Sequence, residues 1–388
     1  MDVPIARPDI RPEDADYVLE VLQSGWLVQG PKVAAFEAAW SEFTDSAHSV
    51  AVTSCTSGLL LSLIALGFGH GDEAIVPAFT WTATANVVEQ LGGRVVFCDV
   101  DPNTFNLNID QVSQLVGPRT RAVLPVHLFG LPVDLQALSP IVDEHKLIMI
   151  EDAACGFGAR VQRRHVGTTG DAGVFSFHPR KAVTTGEGGM ITTQNPDLAE
   201  QLRSLRDHGA IASDLQRHLG PKPYLLSDHI HAGYNQRMTD LQAALGVAQM
   251  ARANQITAER QYLAKRYDNA LEELDWLQSP PLPPGVDHGY QSYVRCFVTD
   301  GLNPKSVDRV HERRNRWMER LLVAGVSTRP GTHAVHTLSY YRSRYGLKPF
   351  DYPVSWFADR CSVALPIFNG MTEAEQDHVI DVVCHETP

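Results

Sequence analysis

The chain has 388 residues, a formal charge of −12, 44% apolar residues and 20% charged ones. That length exceeds a single ordinary core and predicts two domains of roughly 100–200 residues each, while the acidic balance argues against a nucleic-acid protein, which needs a basic face. No run is apolar enough to span a bilayer, and six scattered cysteines without a CxxC pair signal neither a zinc site nor a disulfide framework.

The N-terminal "MDVPIARPDIRPEDADYV" lacks the basic and apolar regions of a signal peptide, so a cytoplasmic location is expected. From about residue 48 to 195, short β-branched runs alternate with helical stretches. The strand candidates are "HSVAVTS", "EAIVPA", "RVVFCDVD", "RAVLPVHLFG", "KLIMIEDAA", "DAGVFSFH" and "GGMITT". Helices are expected at "SGLLLSLIALG" and "DLQALSPIVDEHK". Nearly continuous apolar strands belong to sheets covered on both faces, so the rhythm predicts a mainly parallel sheet in an α/β domain. "GFGHGD" follows a helix with the wrong spacing for a dinucleotide fingerprint and reads as a helix end and turn.

After about residue 236 the pattern changes. "TDLQAALGVAQMARANQITAERQYLAKRYDNALEELDWL" reads as one long helical stretch, and "QSPPLPPGVDHG" as a proline-rich connector. "YQSYVRCFVTD", "ERRNRWMERLLVAGVSTRP" and "TEAEQDHVIDVVCHE" suggest a smaller α/β unit. The expected division is a large domain over 1–250 and a small one over 251–388. The histidine pairs in "DHIHAG" and "GTHAVH" lack clustered partners, so no metal is expected.

Ligands of open α/β sheets sit beyond the carboxyl ends of the strands. Four features stand there. Asp152 ends a buried strand, where a carboxylate needs a donor or cation; a helix cap or salt bridge is the plainer reading. "SCTSG" at a strand-to-helix turn offers free N–H groups for a phosphate, or only a capped helix. Trp81 can stack on a flat ligand or pack in a core. Lys181 follows a strand that carries Ser176 and His178, and precedes Gly186, Gly188 and Gly189, which allow a sharp turn and close backbone approach. It is an exposed loop lysine or a secluded one able to bond a carbonyl. Together, a phosphate nest, an aromatic plate, a strand-end Asp and a secluded Lys are what pyridoxal phosphate requires.

With "GDEAIVPAFTWTATANVVEQLGG", "PVHLFGLPVDL", "EDAACGFGA", "FSFHPRKAVTTGEGGM" and "GYNQRMTDLQAALGVAQ" in this order, the chain resembles the DegT–StrS family of pyridoxal-phosphate nucleotide-sugar aminotransferases, of aspartate-aminotransferase fold. The resemblance covers nearly the whole chain. It implies a three-layer large domain with a mainly parallel sheet plus a smaller C-terminal α/β domain. Lys181 matches the Schiff-base lysine, Asp152 the partner of the pyridine nitrogen and Trp81 the stacking ring. Cys55, Thr56 and Ser176 match phosphate-binding positions. Asn235 matches a residue that reaches the neighbouring subunit's phosphate, which implies a homodimer with shared sites. The residue 1–30 segment, with Trp26 and Gln29 in "GWLVQG", and His333 in "TRPGTHAVH" correspond to parts near the substrate. Two positions depart from the family pattern: Cys55 stands where many members have Gly, and Cys155 stands where His or Gln usually touches the ring hydroxyl.

The resemblance implies transfer of an amino group from glutamate or glutamine to a keto sugar, foremost a nucleotide-linked 4-keto-6-deoxy sugar. A 3-keto sugar or keto-cyclitol fits the same motifs. Sugar-dehydrating relatives carry His where Lys181 stands, and a non-enzymatic relative is expected to lose the Lys or the Asp. Neither a nucleic acid nor a membrane is an expected partner.

Overall fold

The computed structural model describes residues 1–298 and 303–386. All seven strand candidates join one sheet. Its strands are β1 (His48–Val52), β2 (Glu73–Pro77), β4 (Arg94–Cys98), β5 (Thr120–Val123), β6 (Ile148–Asp152), β9 (Ala172–Ser176) and β10 (Gly189–Thr193). They lie in the order β1-β10-β9-β6-β5-β2-β4. Only β10 runs against its neighbours, antiparallel to both β1 and β9. "RAVLPVHLFG" stops being strand at Val123 and continues as irregular chain into a short turn at Leu128–Gly130.

The near-continuous apolar runs are explained by cover on both faces. Side chains alternate between faces with period two. Val50, Val52, Ile150, Val174 and Ile191 meet Leu59, Leu63 and Leu202 from the helices Cys55–Ala65 and Pro196–Leu205. On the other face, Ala51, Phe175 and Met190 meet Phe36, Trp40 and Ala243 from the helices Pro31–Thr44 and Asp240–Met250. Ile75, Val123 and Met149 meet Leu138 and Val142 from the helix Leu135–His145. The result is three layers. Fully burying each such Leu, Val or Phe contributes about 1.5–3 kcal/mol.

Smaller elements complete the chain. β3 (Phe79–Thr80) pairs with β14 (His333–Ala334). β7 (Arg160–Val161) and β8 (Arg164–His165) form a hairpin, and β12 (Val286–Asp287), from inside the proline-rich segment, adds to it. β11 (Leu277–Gln278), β13 (Tyr293–Phe297) and β15 (Ser362–Leu365) form a three-stranded antiparallel sheet. Around it pack the helices Ala253–Ala270, Pro304–Val323, Pro353–Cys361 and Glu373–His385, with Phe297, Trp317 and Val363 fully buried. Val3 bridges to Val326, so the chain's start joins this C-terminal region. The last two residues of "YQSYVRCFVTD", Thr299 and Asp300, lie outside the described residues. No helix of the described residues is long and apolar enough to cross a membrane.

One expectation is overturned. The long helical stretch after residue 239 is two helices, Asp240–Met250 and Ala253–Ala270. Arg252 between them leaves helical geometry (φ −119°, ψ 22°), and its guanidinium bonds both oxygens of buried Asp14 at 2.6 and 2.8 Å. That distant ion pair redirects the chain where local propensity alone would continue it.

Candidate active site

Lys181, Asp152, Ser176 and the Cys55–Thr56 turn gather at one edge of the large sheet. Val52 at the end of β1 pairs with Gly189 at the start of β10, which pairs with Ser176 at the end of β9. Asp152 ends the neighbouring β6, paired with Val174. A Cβ on Gly189 would sit 2.5 Å from the Ser54 carbonyl carbon and 2.6 Å from the Cys55 nitrogen. Only glycine lets the "SCTSG" turn lie this close to the strand, as the glycine cluster suggested. Ser54 caps the 11-residue helix Cys55–Ala65 by accepting the Ser57 N–H (3.1 Å). The N–H groups of Cys55 and Thr56, in its first turn, have no partner within the helix. Gly186, with φ +80°, makes the turn back toward β10.

Lys181 lies on the loop after β9 and is half-buried. Its Nζ is 3.2 Å from the Cys155 Sγ. β9 ends at Ser176, so His178 lies just beyond the strand rather than within it. His178 shapes the loop: its carbonyl accepts the Lys181 N–H (2.8 Å), and its Nδ1 accepts the Arg180 N–H (3.2 Å). Arg180 itself is exposed.

Asp152 is 4% exposed. Its Oδ2 accepts the Thr84 hydroxyl (2.7 Å) and its Oδ1 the Ala154 N–H (3.1 Å). The Cys55 thiol is turned to this carboxylate (4.0 Å) and to the Val174 carbonyl (3.6 Å), so Cys55 presents only its backbone to the helix-end nest. Burial, reinforced by the negative charge of Asp152, pushes the Cys55 thiol well above its ordinary range. It therefore stays a neutral weak donor.

The preceding residue, Glu151, is fully buried and saturated. It accepts N–H groups from Gly167 (2.5 Å), Thr169 (2.7 Å) and Gly170 (2.8 Å), and its Oε2 lies 2.8 Å from His127 Nε2. The Val133 N–H points at His127 Nδ1 (3.0 Å), so that nitrogen carries no proton and Nε2 is the donor. Burial raises the Glu151 pKa, but His127 and the backbone N–H groups outweigh it and hold the carboxyl below its usual value.

Trp81 directly follows β3 and is 57% exposed, with its ring centroid 5.5 Å from that of His333 on β14. The β3–β14 ladder thus carries both rings to one place. Asn235 is exposed, on a segment that runs along the end of β1. The next residue, Gln236, accepts the Thr53 N–H (3.1 Å) and, at Oε1, the hydroxyls of Thr53 (2.5 Å) and Ser57 (2.7 Å). Trp26 and Gln29 have a different neighbourhood. The Trp26 Nε1–H donates to the Gln29 carbonyl (3.2 Å), and its ring stands 5.3 Å from that of His218. Asp240 anchors this loop's end through the N–H groups of Gly30 (2.8 Å) and Val33 (3.0 Å).

Sequence reading missed Thr84 and the Gln236 contacts. For Thr84 a signal existed: it stands three residues after Trp81 in "WTAT", at the start of the helix Ala83–Gln90. Gln236 had none, because its partners are nearly 180 residues away in the chain.

Comparison with known proteins identifies the family. The model of the DegT/DnrJ/EryC1/StrS aminotransferase family matches residues 8–384. The uncharacterized protein MJ1066 of Methanocaldococcus jannaschii is 34% identical over 98% of this chain and 96% of its own. The aminotransferase TlmJ of Streptoalloteichus hindustanus superposes with a TM-score of 0.87 at 32% identity, covering 98% of this chain and 97% of TlmJ. Spr1654 of Streptococcus pneumoniae, named as a sugar aminotransferase and solved in its PLP form, superposes with a TM-score of 0.88 at 26% identity, covering 98% and 97%. The chain belongs to the DegT/DnrJ/EryC1/StrS aminotransferase family and is a pyridoxal-phosphate-dependent aminotransferase.

Proposed function

We propose that the protein moves an amino group from glutamate or glutamine to a nucleotide-linked 4-keto-6-deoxy sugar, making an amino sugar. The observation that carries the reading is the meeting of Lys181, Asp152 and the Ser54–Thr56 turn at one sheet edge, with the Gly189 contact leaving the turn's N–H groups beside Ser176. The sugar class is supported by the naming of Spr1654 as a sugar aminotransferase.

The residues present fit the cofactor. Pyridoxal phosphate supplies an aldehyde that takes and returns the amino group, and a ring that absorbs negative charge. The N–H groups of Cys55 and Thr56 at the helix N-terminus, with the Ser176 hydroxyl, would hold its phosphate. The exposed face of Trp81 would cover the ring. Asp152 would keep a proton on the pyridine nitrogen, and the Thr84 hydroxyl fixes the carboxylate that would do so. Lys181 would hold the cofactor through its aldehyde carbon, and its amine would supply the base that moves a proton at the donor's alpha carbon. Cys155, 3.2 Å from that amine, would be the group near the ring hydroxyl. His333, against Trp81, faces the substrate side. Trp26 and Gln29 belong to a loop near the substrate.

A homodimer completes this reading. Ile211, Leu219, Tyr224, Leu226 and Ile230 are 60, 75, 76, 86 and 60% exposed on a single segment. Such a concentration of apolar surface marks an interface. The segment borders a cavity of about 870 Å³ lined also by Gln29 and Arg206, and Asn235 at its end extends toward the partner's phosphate.

The test is spectroscopic and chemical. The protein loaded with pyridoxal phosphate shows the visible band of a lysine-bound cofactor, and Lys181→Ala loses it. Incubation with glutamate and a panel of nucleotide keto-sugars, read by mass, yields the amino sugar from the 4-keto-6-deoxy member. An unchanged spectrum in Lys181→Ala overturns the lysine assignment, and product only from other keto compounds overturns the substrate.

A further inference from the structure

Lys181 is delivered by a loop, between β9 and β10, with no regular structure of its own. A lysine that exchanges its bond during a reaction cannot rely on that bond to hold it in place. The loop's backbone must fix it, and a side chain from the far end of the sequence does so. Gln291 Nε2 donates to the Arg180 carbonyl (2.7 Å), and Gln291 Oε1 accepts the Ala182 N–H (3.0 Å). These two groups belong to the peptides immediately before and after the Lys181 α-carbon. One planar amide therefore sets both backbone dihedrals from which the lysine side chain springs. One partner can only accept and the other only donate, so the orientation of the amide is unambiguous.

Gln291 is itself held. It is 8% exposed. Its carbonyl accepts Arg260 Nη2 (2.8 Å), and Arg260 Nε donates to the adjacent Tyr290 carbonyl (2.9 Å). The same guanidinium grips the Ile367 carbonyl (3.2 Å) and the Asn369 Oδ1 (3.1 Å), beyond β15. A Cβ on Gly130 would lie 2.9 Å from the Tyr290 nitrogen and 3.0 Å from that of Gln291. The strand-entry segment is thus wedged between the Gly130 turn and Arg260, and β13 begins two residues later. Gln291 links the C-terminal sheet to the lysine loop.

We propose that Gln291 is a positioning residue for Lys181, its side-chain amide holding the lysine's backbone so that the amine returns to the same point after each displacement. The proposal rests on the reading of Lys181 as the cofactor-bonding lysine. It assigns Gln291 no contact with substrate and no part in holding the phosphate or ring.

The experiment uses the cofactor-loaded protein and two variants. Gln291→Met keeps length and bulk but loses both hydrogen bonds. Gln291→Glu keeps an oxygen to accept the Ala182 N–H and loses the donor to Arg180. The expected result for Gln291→Met is unchanged cofactor affinity and a donor half-reaction slower by roughly 10²-fold in single turnover, the size expected of a misplaced reacting group. The pH at which the visible band titrates shifts, and amide exchange at residues 178–184 quickens. Gln291→Glu falls between this variant and the unaltered protein. A folded Gln291→Met whose half-reaction rate and band titration match those of the unaltered protein overturns the proposal. If Gln291→Met does not fold, the same comparison on Gln291→Glu decides. Lys181→Ala is measured alongside: retention of the lysine-bound band there overturns the lysine assignment instead, which separates the two failures.

Discussion

Glu151 and Asp152 are adjacent carboxylates at the end of one buried strand, and they do opposite work. Glu151 faces the loop that follows β8 and has every lone-pair direction filled, by His127 and by three backbone N–H groups. Asp152 faces the sheet edge and has two close donors, Thr84 and Ala154, with the Cys55 thiol a weak third at 4.0 Å. An anionic carboxylate has about four acceptor sites. The saturated neighbour can only hold structure together, whereas the one with acceptor capacity left can receive a further donor. Counting donors separates a structural acid from a chemical one where burial, 0% against 4%, does not.

The sharpest way to break this contrast is Glu151→Gln. The new amide must point a donor at a group that already donates, so a loss of about 3–5 kcal/mol in denaturant unfolding is expected, as for other broken buried pairs. The folded fraction keeps the normal cofactor spectrum; a spectral change at unchanged stability would reverse the two roles. Asp152→Asn is the mirror experiment. It lowers the amino-transfer rate by about 10²–10³-fold, the usual effect of removing one preorganised electrostatic group, with much the smaller loss of stability in the same denaturant assay. Thr84→Val keeps shape and removes the donor to Asp152. A hydrogen bond to a charged group is worth roughly 1.5–3 kcal/mol, so kcat/KM should fall by about one to two orders of magnitude, and Thr84→Ser should restore it.

The smallest effect concerns pH and acts only on the Glu151 side. His165 lies in the segment that leads to Gly167; it accepts the Gly158 N–H at Nε2 (3.0 Å) and faces the Val166 carbonyl with Nδ1 (2.7 Å), so it is buried neutral. Burial lowers its pKa from 6.5 to about 4. The unfolded chain therefore takes up a proton that the folded one refuses. The stability this group allows is complete above pH 6.5 and is lost as pH falls toward 4, at roughly 1.4 kcal/mol per pH unit. Unfolding followed against pH should show this slope, and His165→Gln should flatten it while leaving the cofactor spectrum unchanged.

The seven strands were legible because cover on both faces makes them apolar almost throughout. Asp152 and Lys181 were legible because a charge just past such a strand is conspicuous. The break at Arg252 was not, since its cause, Asp14, lies near the other end of the chain. Gln291 was equally hidden: nothing in "YQSYVRCF" marks a glutamine that grips peptides more than 100 residues earlier. The exposed side chain of Asn235 and the pairing of Trp26 with His218 show a different limit. Family pattern assigns these residues to a site, but within one chain they face outward or each other.

The strand order has a consequence for how the protein is made. β1 emerges from the ribosome early yet has one sheet neighbour, β10, so Val50 waits for Ile191. In the meantime β2, β4, β5 and β6 can pair among themselves as they appear, while β1, packed on the helix Pro31–Thr44, has no strand beside it. Such unpaired segments are what chaperones shield in long-range folds. The sheet edge closes when Gly189 arrives; Gln249 then bonds the loop at Thr184 (3.0 and 2.6 Å), and the peptides flanking Lys181 are held once Gln291 has been synthesised. A nascent chain therefore carries Lys181 for more than a hundred residues of translation before that lysine has a fixed place.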